Sequence, residues 1–274
     1  MKAEIISIGT ELLLGQLVDT NSVWLSQQLT LLGIDSHFKT TVGDNANNIE
    51  QVFKLATERA DIIIATGGLG PTQDDITKET LAKTLGLELF YDEQLAEVIQ
   101  EKFITRNIEM SENNYRQAYY PQGCEVLDQF PGTAPGLYLY HNDRHYFLLP
   151  GVPYEMKAMF EQSIIPKLRA IYPSEEQIYT EIIKVWGIPE SDVAEKVAKI
   201  DEELAEIGNP KLSYLASGIN GISVRVSAKA KTKEEALALI KPYQVDIEYA
   251  LKPYIFGATS WPAPPAAWRR TKAF

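Results

Sequence analysis

The chain carries a single cysteine, Cys124, in 274 residues, and only three histidines, His37, His141 and His145. One cysteine cannot form an internal disulfide framework, and it cannot build a thiolate zinc cluster. No apolar run is long enough for a membrane span. The N-terminal stretch Ile5 to Ile8 ends at Gly9, too early for the hydrophobic segment of a secretory signal. Positive charge is also short, 26 Lys and Arg against 37 Asp and Glu, for a formal net charge of −11. That surface repels nucleic-acid backbones and anionic lipid, so neither a direct nucleic-acid partner nor a membrane is expected. A reducing cytoplasm suits all of these scarcities. With 45% hydrophobic residues the chain can bury a sizeable core, so disorder is excluded as its general state.

Strands and helices alternate through the first ninety residues. Ala3–Ile8, His37–Val42 and Asp61–Thr66 read as strands; Thr20–Leu32, Asn45–Ala60 and Ile76–Leu85 read as helices. The unbroken run Ile62-Ile63-Ile64-Ala65 is typical of a central parallel strand, and the alternation predicts a doubly wound, mostly parallel sheet covered on both faces. Asp92–Thr105 and Val152–Ala170 read as further helices, and Gly136–Pro150 as a hairpin turning near Asn142-Asp143. A composition shift at Ile171–Gln177 marks a boundary. The expected division is a first domain over 1–174, a smaller α+β domain over 175–257, and a tail over 258–274. In the second domain, strands are predicted at Ile178–Trp186, Lys211–Ala216 and Ile222–Ala230. Helices are predicted at Pro189–Leu204 and Lys233–Leu251, the latter broken near Pro242. The tail has three prolines, two of the four tryptophans and no acidic residue, so it reads as a non-native extension outside the core.

Four Gly/Pro-rich turns beside strands could line a cleft. The first is Gly67-Gly68-Leu69-Gly70-Pro71-Thr72-Gln73-Asp74-Asp75. Glycines there let backbone N–H groups approach a ligand, and the helix that follows points its positive end at an anion. Asp74, Asp75 and Thr77 also stand where helix caps stand. Two aspartates beside an anion site repel phosphate unless a metal ion bridges them, so a divalent cation is the expected cofactor. The second turn is Gly9-Thr10-Glu11-Leu12-Leu13-Leu14-Gly15 with Asp19-Thr20-Asn21, where Asp19 or Thr20 is first of all a helix cap; Glu11 and Asp19 could face the Asp75 loop. The third is Gly132-Thr133-Ala134-Pro135-Gly136 and the fourth Pro150-Gly151-Val152-Pro153. The histidines read as structural or exposed, and Cys124 as a core thiol. Gly218-Ile219-Asn220-Gly221 has the spacing of an RNA-binding G-x-x-G loop, but it joins two strands and reads as a hairpin.

Taken together, Ile8–Gly15, Asp19–Asn21, Gly67–Thr77, Gly132–Gly136 and Leu149–Met156 closely resemble the CinA family of competence/damage-inducible proteins, over about residues 1–257. The resemblance implies a molybdopterin-binding fold shared with MoaB and MogA proteins, followed by a small KH-like domain. It also implies a metal-dependent pyrophosphatase acting on ADP-ribose or a related nucleotide. Full-length members continue into a nicotinamide-mononucleotide deamidase domain, and because this chain stops where that domain would begin, that activity is not carried over. Asp75 matches an aspartate of the related molybdopterin proteins, and Asp44 falls near a second; these are the implied catalytic pair, with Asp75 and Asp74 as metal ligands. Gln129 and Cys124 depart from the family pattern. The expected substrate contacts are Gly9, Thr10, Glu11, Asn21, Gly67, Gly68, Leu69, Gly70, Pro71, Thr72, Gly132, Thr133, Pro150 and Gly151, with Lys78, Arg116 and Lys157 as charge partners for phosphate. A small-molecule nucleotide is the expected partner, and a homo-oligomer is compatible. Two rival readings stand beside hydrolysis: adenylyl transfer to a pterin, and a non-catalytic nucleotide sensor linked to competence or DNA damage.

Overall fold

The computed structural model describes residues 1–127, 132–173, 176–216 and 221–258. Gln129, the Gly218–Asn220 stretch and the tail from 259 onward lie outside the described residues. The chain divides into two compact units, Met1–Pro173 and Ser174–Phe274.

The first unit is built on a six-stranded sheet. Strands β1 (Lys2–Ile8), β2 (Asp35–Val42), β3 (Ile62–Thr66) and β8 (Arg144–Leu149) run parallel; β7 (Gly136–His141) and β6 (Glu125–Leu127) continue the sheet antiparallel, in the order β2-β1-β3-β8-β7-β6. The apolar run in β3 follows from its place between β1 and β8. Ile62 and Ile64 enter the core on one face, Ile63 and Ala65 the core on the other, and every residue of the strand is buried. A doubly wound sheet carries its loops at strand C-terminal ends along one edge, and here those ends are Ile8, Val42, Thr66 and Leu149.

Helices α2 (Thr20–Leu31), α3 (Ala46–Arg59), α4 (Thr77–Leu85) and α5 (Glu93–Ile104) occupy the predicted positions to within a few residues. Asp19, Asn45 and Asp92 cap the first, second and fourth of these by accepting backbone N–H bonds. A four-residue helix, α1 (Thr10–Leu13), occupies part of the second Gly-rich turn. The predicted Val152–Ala170 helix is not continuous. It runs as α6 (Pro153–Met159), one π-helical turn (Phe160–Ile164) and α7 (Ile165–Ile171). Pro166 explains the widening, because its ring cannot accept the ordinary i→i−4 geometry. A small pair, β4 (Leu89–Tyr91) with β5 (Tyr119–Pro121), flanks α5 and a 3₁₀ segment at Glu112–Ala118; neither strand was visible in the sequence pattern.

The second unit is a four-stranded antiparallel sheet, β10-β11-β9-β12, made of β9 (Gln177–Val185), β10 (Lys211–Ala216), β11 (Ile222–Ala230) and β12 (Ile255–Ala258), with helices α8 (Glu190–Ile207) and α9 (Lys233–Leu251). Ala258, expected as the first tail residue, pairs with Ile183 as the last residue of β12. The predicted break at Pro242 does not occur. Pro242 sits on the exposed side of α9, where water can take the carbonyl it leaves free, while Ala236, Ile240, Ile247 and Leu251 anchor the other side in the core. Among the described residues, no helix is long and apolar enough to cross a membrane.

Candidate functional site

The Gly67–Asp75 loop leaves the end of the fully buried strand β3. Gly67 and Gly68 both have positive φ, 107° and 67°. A Cβ on Gly67 would lie 2.1 Å from the Ile8 carbonyl, and one on Gly68 would lie 2.2 Å from Thr77 Oγ1. Close packing against β1 and α4 therefore requires glycine at both positions. The Gly67 N–H donates to Leu149 O, the Thr77 hydroxyl donates to Gly67 O (2.8 Å) and the Thr77 N–H to Gly68 O (3.2 Å). Among the described residues, no protein acceptor takes the N–H of Gly68, Leu69 or Gly70. Three successive amide donors without a partner, just ahead of a helix N-terminus, form an arrangement suited to an anion.

Asp75 does not cap α4. The cap position is Ile76, with no side-chain cap, and the Asp75 carboxylate turns back: Oδ2 accepts from the Thr72 N–H (2.9 Å) and the Thr72 hydroxyl (2.6 Å). It fills the space beside Gly70, where a Cβ would stand 2.6 Å from it. Oδ1 is left for a further partner. Asp74 is exposed. Asp44 is tied to the Gly9–Gly15 turn instead, by a reciprocal pair: the Thr10 N–H donates to Asp44 Oδ2 (2.8 Å) and the Asp44 N–H donates to Thr10 Oγ1 (3.1 Å). Among the described residues, no three His, Cys, Asp or Glu side chains gather as a metal cage. Asp75 thus fits a divalent ion only in the manner of magnesium, which is held by one or two carboxylates while substrate phosphates and water complete its shell.

A cavity of about 100 Å³ opens where β1, β3 and the Pro150-Gly151 turn meet. Its wall includes Ser7, Glu11, Asp19, Asn21, Thr66 and Gly151, so three of the predicted contacts, Glu11, Asn21 and Gly151, do converge. Ser7 and Thr66 were missed, because each lies inside an otherwise apolar strand pattern. Asn21 ties the turns together: its Nδ2 donates to Gly151 O (2.8 Å) and to Thr66 Oγ1 (3.3 Å), while the Thr66 hydroxyl donates to Pro150 O (2.9 Å). Asp19 is the cap of α2, as its strongest sequence reading had it. Burial works against its charge, but the Ser22 N–H and the Ser7 and Ser22 hydroxyls outweigh this and hold its carboxyl below the ordinary range. Glu11 and Asp19 line this cavity, and neither Asp75 nor Asp44 does. At about 100 Å³ it is below the roughly 300 Å³ of an ordinary small-molecule pocket, and so suits one part of a nucleotide.

Gly132 packs on Glu155, whose carboxylate leaves no room for a Cβ, and Lys102 Nζ donates to Gly132 O (2.8 Å). Thr133 is half-buried beside it. Of the three expected cations, none is presented as a simple phosphate ligand. Lys78 is 2% exposed and its ammonium donates to the Arg116 carbonyl; burial lowers its pKa to about 8. The Arg116 guanidinium binds loop carbonyls, and Lys157 lies over the Trp24 ring, 5.7 Å from its centroid. His37 is exposed, and His145 meets Tyr138 (3.0 Å). Cys124 is half-buried and packs against the core rather than inside it, and burial pushes its thiol up to about 12.

Residues 4–170 match the family model described as "Probable molybdopterin binding domain", and residues 180–257 match the CinA KH domain of damage-inducible proteins. The chain is 41% identical over 257 residues to a competence-damage inducible protein of Caldicellulosiruptor bescii, covering 94% of this chain and 61% of that one. A protein of the same name from Clostridium beijerinckii is 43% identical over 251 residues, with 92% and 60% covered. The chain thus spans about three-fifths of the length of these relatives. The solved structure of the CinA protein of unknown function from Thermoplasma acidophilum is similar at 32% identity and a TM-score of 0.57, over 61% of this chain and 97% of that one. The motifs, the sheet order and these matches agree, and the chain belongs to the CinA family, with a molybdopterin-binding-like first unit and a small KH-like second unit.

Proposed function

We propose that the first unit hydrolyses the phosphoanhydride of a nucleotide, ADP-ribose or a close relative, with the help of a divalent cation. The observation that carries this reading is the row of N–H groups at Gly68, Leu69 and Gly70 that no protein acceptor takes among the described residues, set beside the carboxylate of Asp75. Phosphate oxygens would accept from those amides and from the first turn of α4. The cation supplies charge neutralisation and a more acidic water when bound. Asp75 would hold it through Oδ1, its Oδ2 being kept in place by Thr72, with Asp74 or Asp44 as the second carboxylate. Water adds to phosphorus as the bridging P–O bond breaks, which leaves two phosphomonoesters. The Glu11–Asn21–Thr66–Gly151 cavity would take a neutral part of the substrate, since Glu11 and Asp19 on its wall repel phosphate. The reading places the enzyme in the cytoplasm, with no nucleic-acid partner.

The test is a screen of nucleoside diphosphate compounds with added magnesium, manganese or cobalt, following release of AMP from ADP-ribose. Asp75→Asn should lower metal-dependent turnover by about 100-fold or more while the melting temperature stays within a few degrees, because an amide oxygen can still accept from Thr72. Wild-type turnover in the variant at saturating metal would remove Asp75 from the reaction. Binding without turnover in the wild-type protein would favour a sensor, and turnover only with an added acceptor would favour adenylyl transfer.

A further inference from the structure

Arg116 lies in the 3₁₀ segment Glu112–Ala118, more than forty residues beyond the Gly-rich loop in sequence. Its guanidinium reaches back to that loop. Nη1 donates to Thr72 O (2.7 Å), and Nη2 to Asp75 O (3.4 Å) and to the Glu79 carboxylate (3.3 Å) on the first turn of α4. In return, Lys78 Nζ donates to the main-chain carbonyl of Arg116. The two segments are therefore tied in both directions, and the partly exposed Arg116 side chain (37%) turns its guanidinium onto the two ends of the Thr72–Asp75 hook and onto Glu79.

A trans peptide is planar, so a carbonyl drawn to one side sends the N–H of the next residue to the other. Arg116 draws the Thr72 carbonyl, which also accepts from the Asp75 N–H within the turn (3.3 Å), and the Asp75 carbonyl, and so helps to aim the N–H groups of Gln73 and Ile76 away from itself. Among the described residues, no protein acceptor takes either N–H. One planar fork thus sets the direction of two donors in addition to those of Gly68–Gly70, and a lysine, with a single ammonium, cannot hold two carbonyls and a carboxylate in that geometry. We infer that Arg116 is the positioning residue of the phosphate loop: the guanidinium fork clasps the Thr72 and Asp75 carbonyls and thereby pre-sets the loop amides for a diphosphate, without touching the substrate. This inference deepens the hydrolase reading and rests on it for the ligand, whereas the clasp itself does not.

The experiment uses the full chain with Arg116→Ala and Arg116→Lys. Amide hydrogen exchange of Thr72 and Asp75, the two amides of the hook that have acceptors, reads the clasp directly. Exchange there should rise about tenfold in both variants, the opening equivalent of about 1.4 kcal/mol, with the melting temperature within a few degrees of wild type. With ADP-ribose and magnesium, KM should rise about tenfold while kcat changes less than about threefold, and free guanidinium ion should restore KM in Arg116→Ala but not in Arg116→Lys. Exchange within about twofold of wild type in both variants overturns the clasp, as does global unfolding of both, which would make Arg116 a fold residue. A normal KM with faster exchange would sever the clasp from binding. If the wild-type chain hydrolyses no diphosphate at all, the hydrolase reading falls, and the exchange data still decide the clasp.

Discussion

Replacing Gly68 by alanine separates backbone strain from steric exclusion at the loop, because the fold supplies its own control. Gly68 has φ 67° and Gly86, the C-cap of α4, has φ 69°. Alanine pays about 1–2 kcal/mol for the left-handed region at either site. The surroundings differ. Around Gly86 a Cβ meets nothing within 4 Å; at Gly68 it meets Thr77 Oγ1 at 2.2 Å. That hydroxyl is buried and donates to Gly67 O at 2.8 Å, so it cannot retreat without breaking the bond. Its loss adds about 0.5–1.5 kcal/mol, or 1–3 where a buried group is left unpaired. Gly68→Ala should therefore cost roughly 2–5 kcal/mol against about 1–2 for Gly86→Ala. At about 2–4 °C per kcal/mol for a unit of this size, the melting temperature should fall roughly 4–20 °C in the first and 2–8 °C in the second. Thermal unfolding by circular dichroism on both variants gives the answer. The contact with Thr77 means that a side chain at Gly68 costs stability whether or not the loop holds a nucleotide. Equal melting temperatures for the two variants would refute the reasoning, since the exclusion by Thr77 would then be absent.

Two further outcomes follow from groups the fold has removed from water. The Cys124 thiol, pushed up to about 12 by burial, should react with a thiol reagent at pH 8 at least about 100-fold more slowly in the native protein than in denaturant; comparable rates would show that the thiol is accessible. Lys78 has its pKa lowered to about 8, so between pH 8 and about 10.5 the unfolded chain binds the extra proton and stability contributed by this residue should rise with pH. Lys78→Met should abolish that rise, worth up to about 3 kcal/mol; a pH–stability curve parallel to wild type over that window would show that Lys78 is solvated in the native state.

Much of this molecule was decided locally. The continuous apolar run of β3 could only be a strand buried on both faces, and Asp19, Asn45 and Asp92 announce the starts of their helices because an N-cap is a contact within four residues. The Gly-Gly loop was legible for the same reason: positive φ and close approach are demands that one residue type satisfies. Tertiary structure decided what depends on partners distant in the chain. Pro242 stays within a helix because the far side of α9 is anchored in a core that the sequence window does not contain. Asp44 meets Thr10 across 34 positions, Ser7 and Thr66 enter the cavity wall from strands whose pattern is apolar, and Arg116 turns from a phosphate ligand into a clasp on carbonyls 44 and 41 positions away. A side chain's type states what it can donate or accept; only the packed chain determines which partner reaches it first.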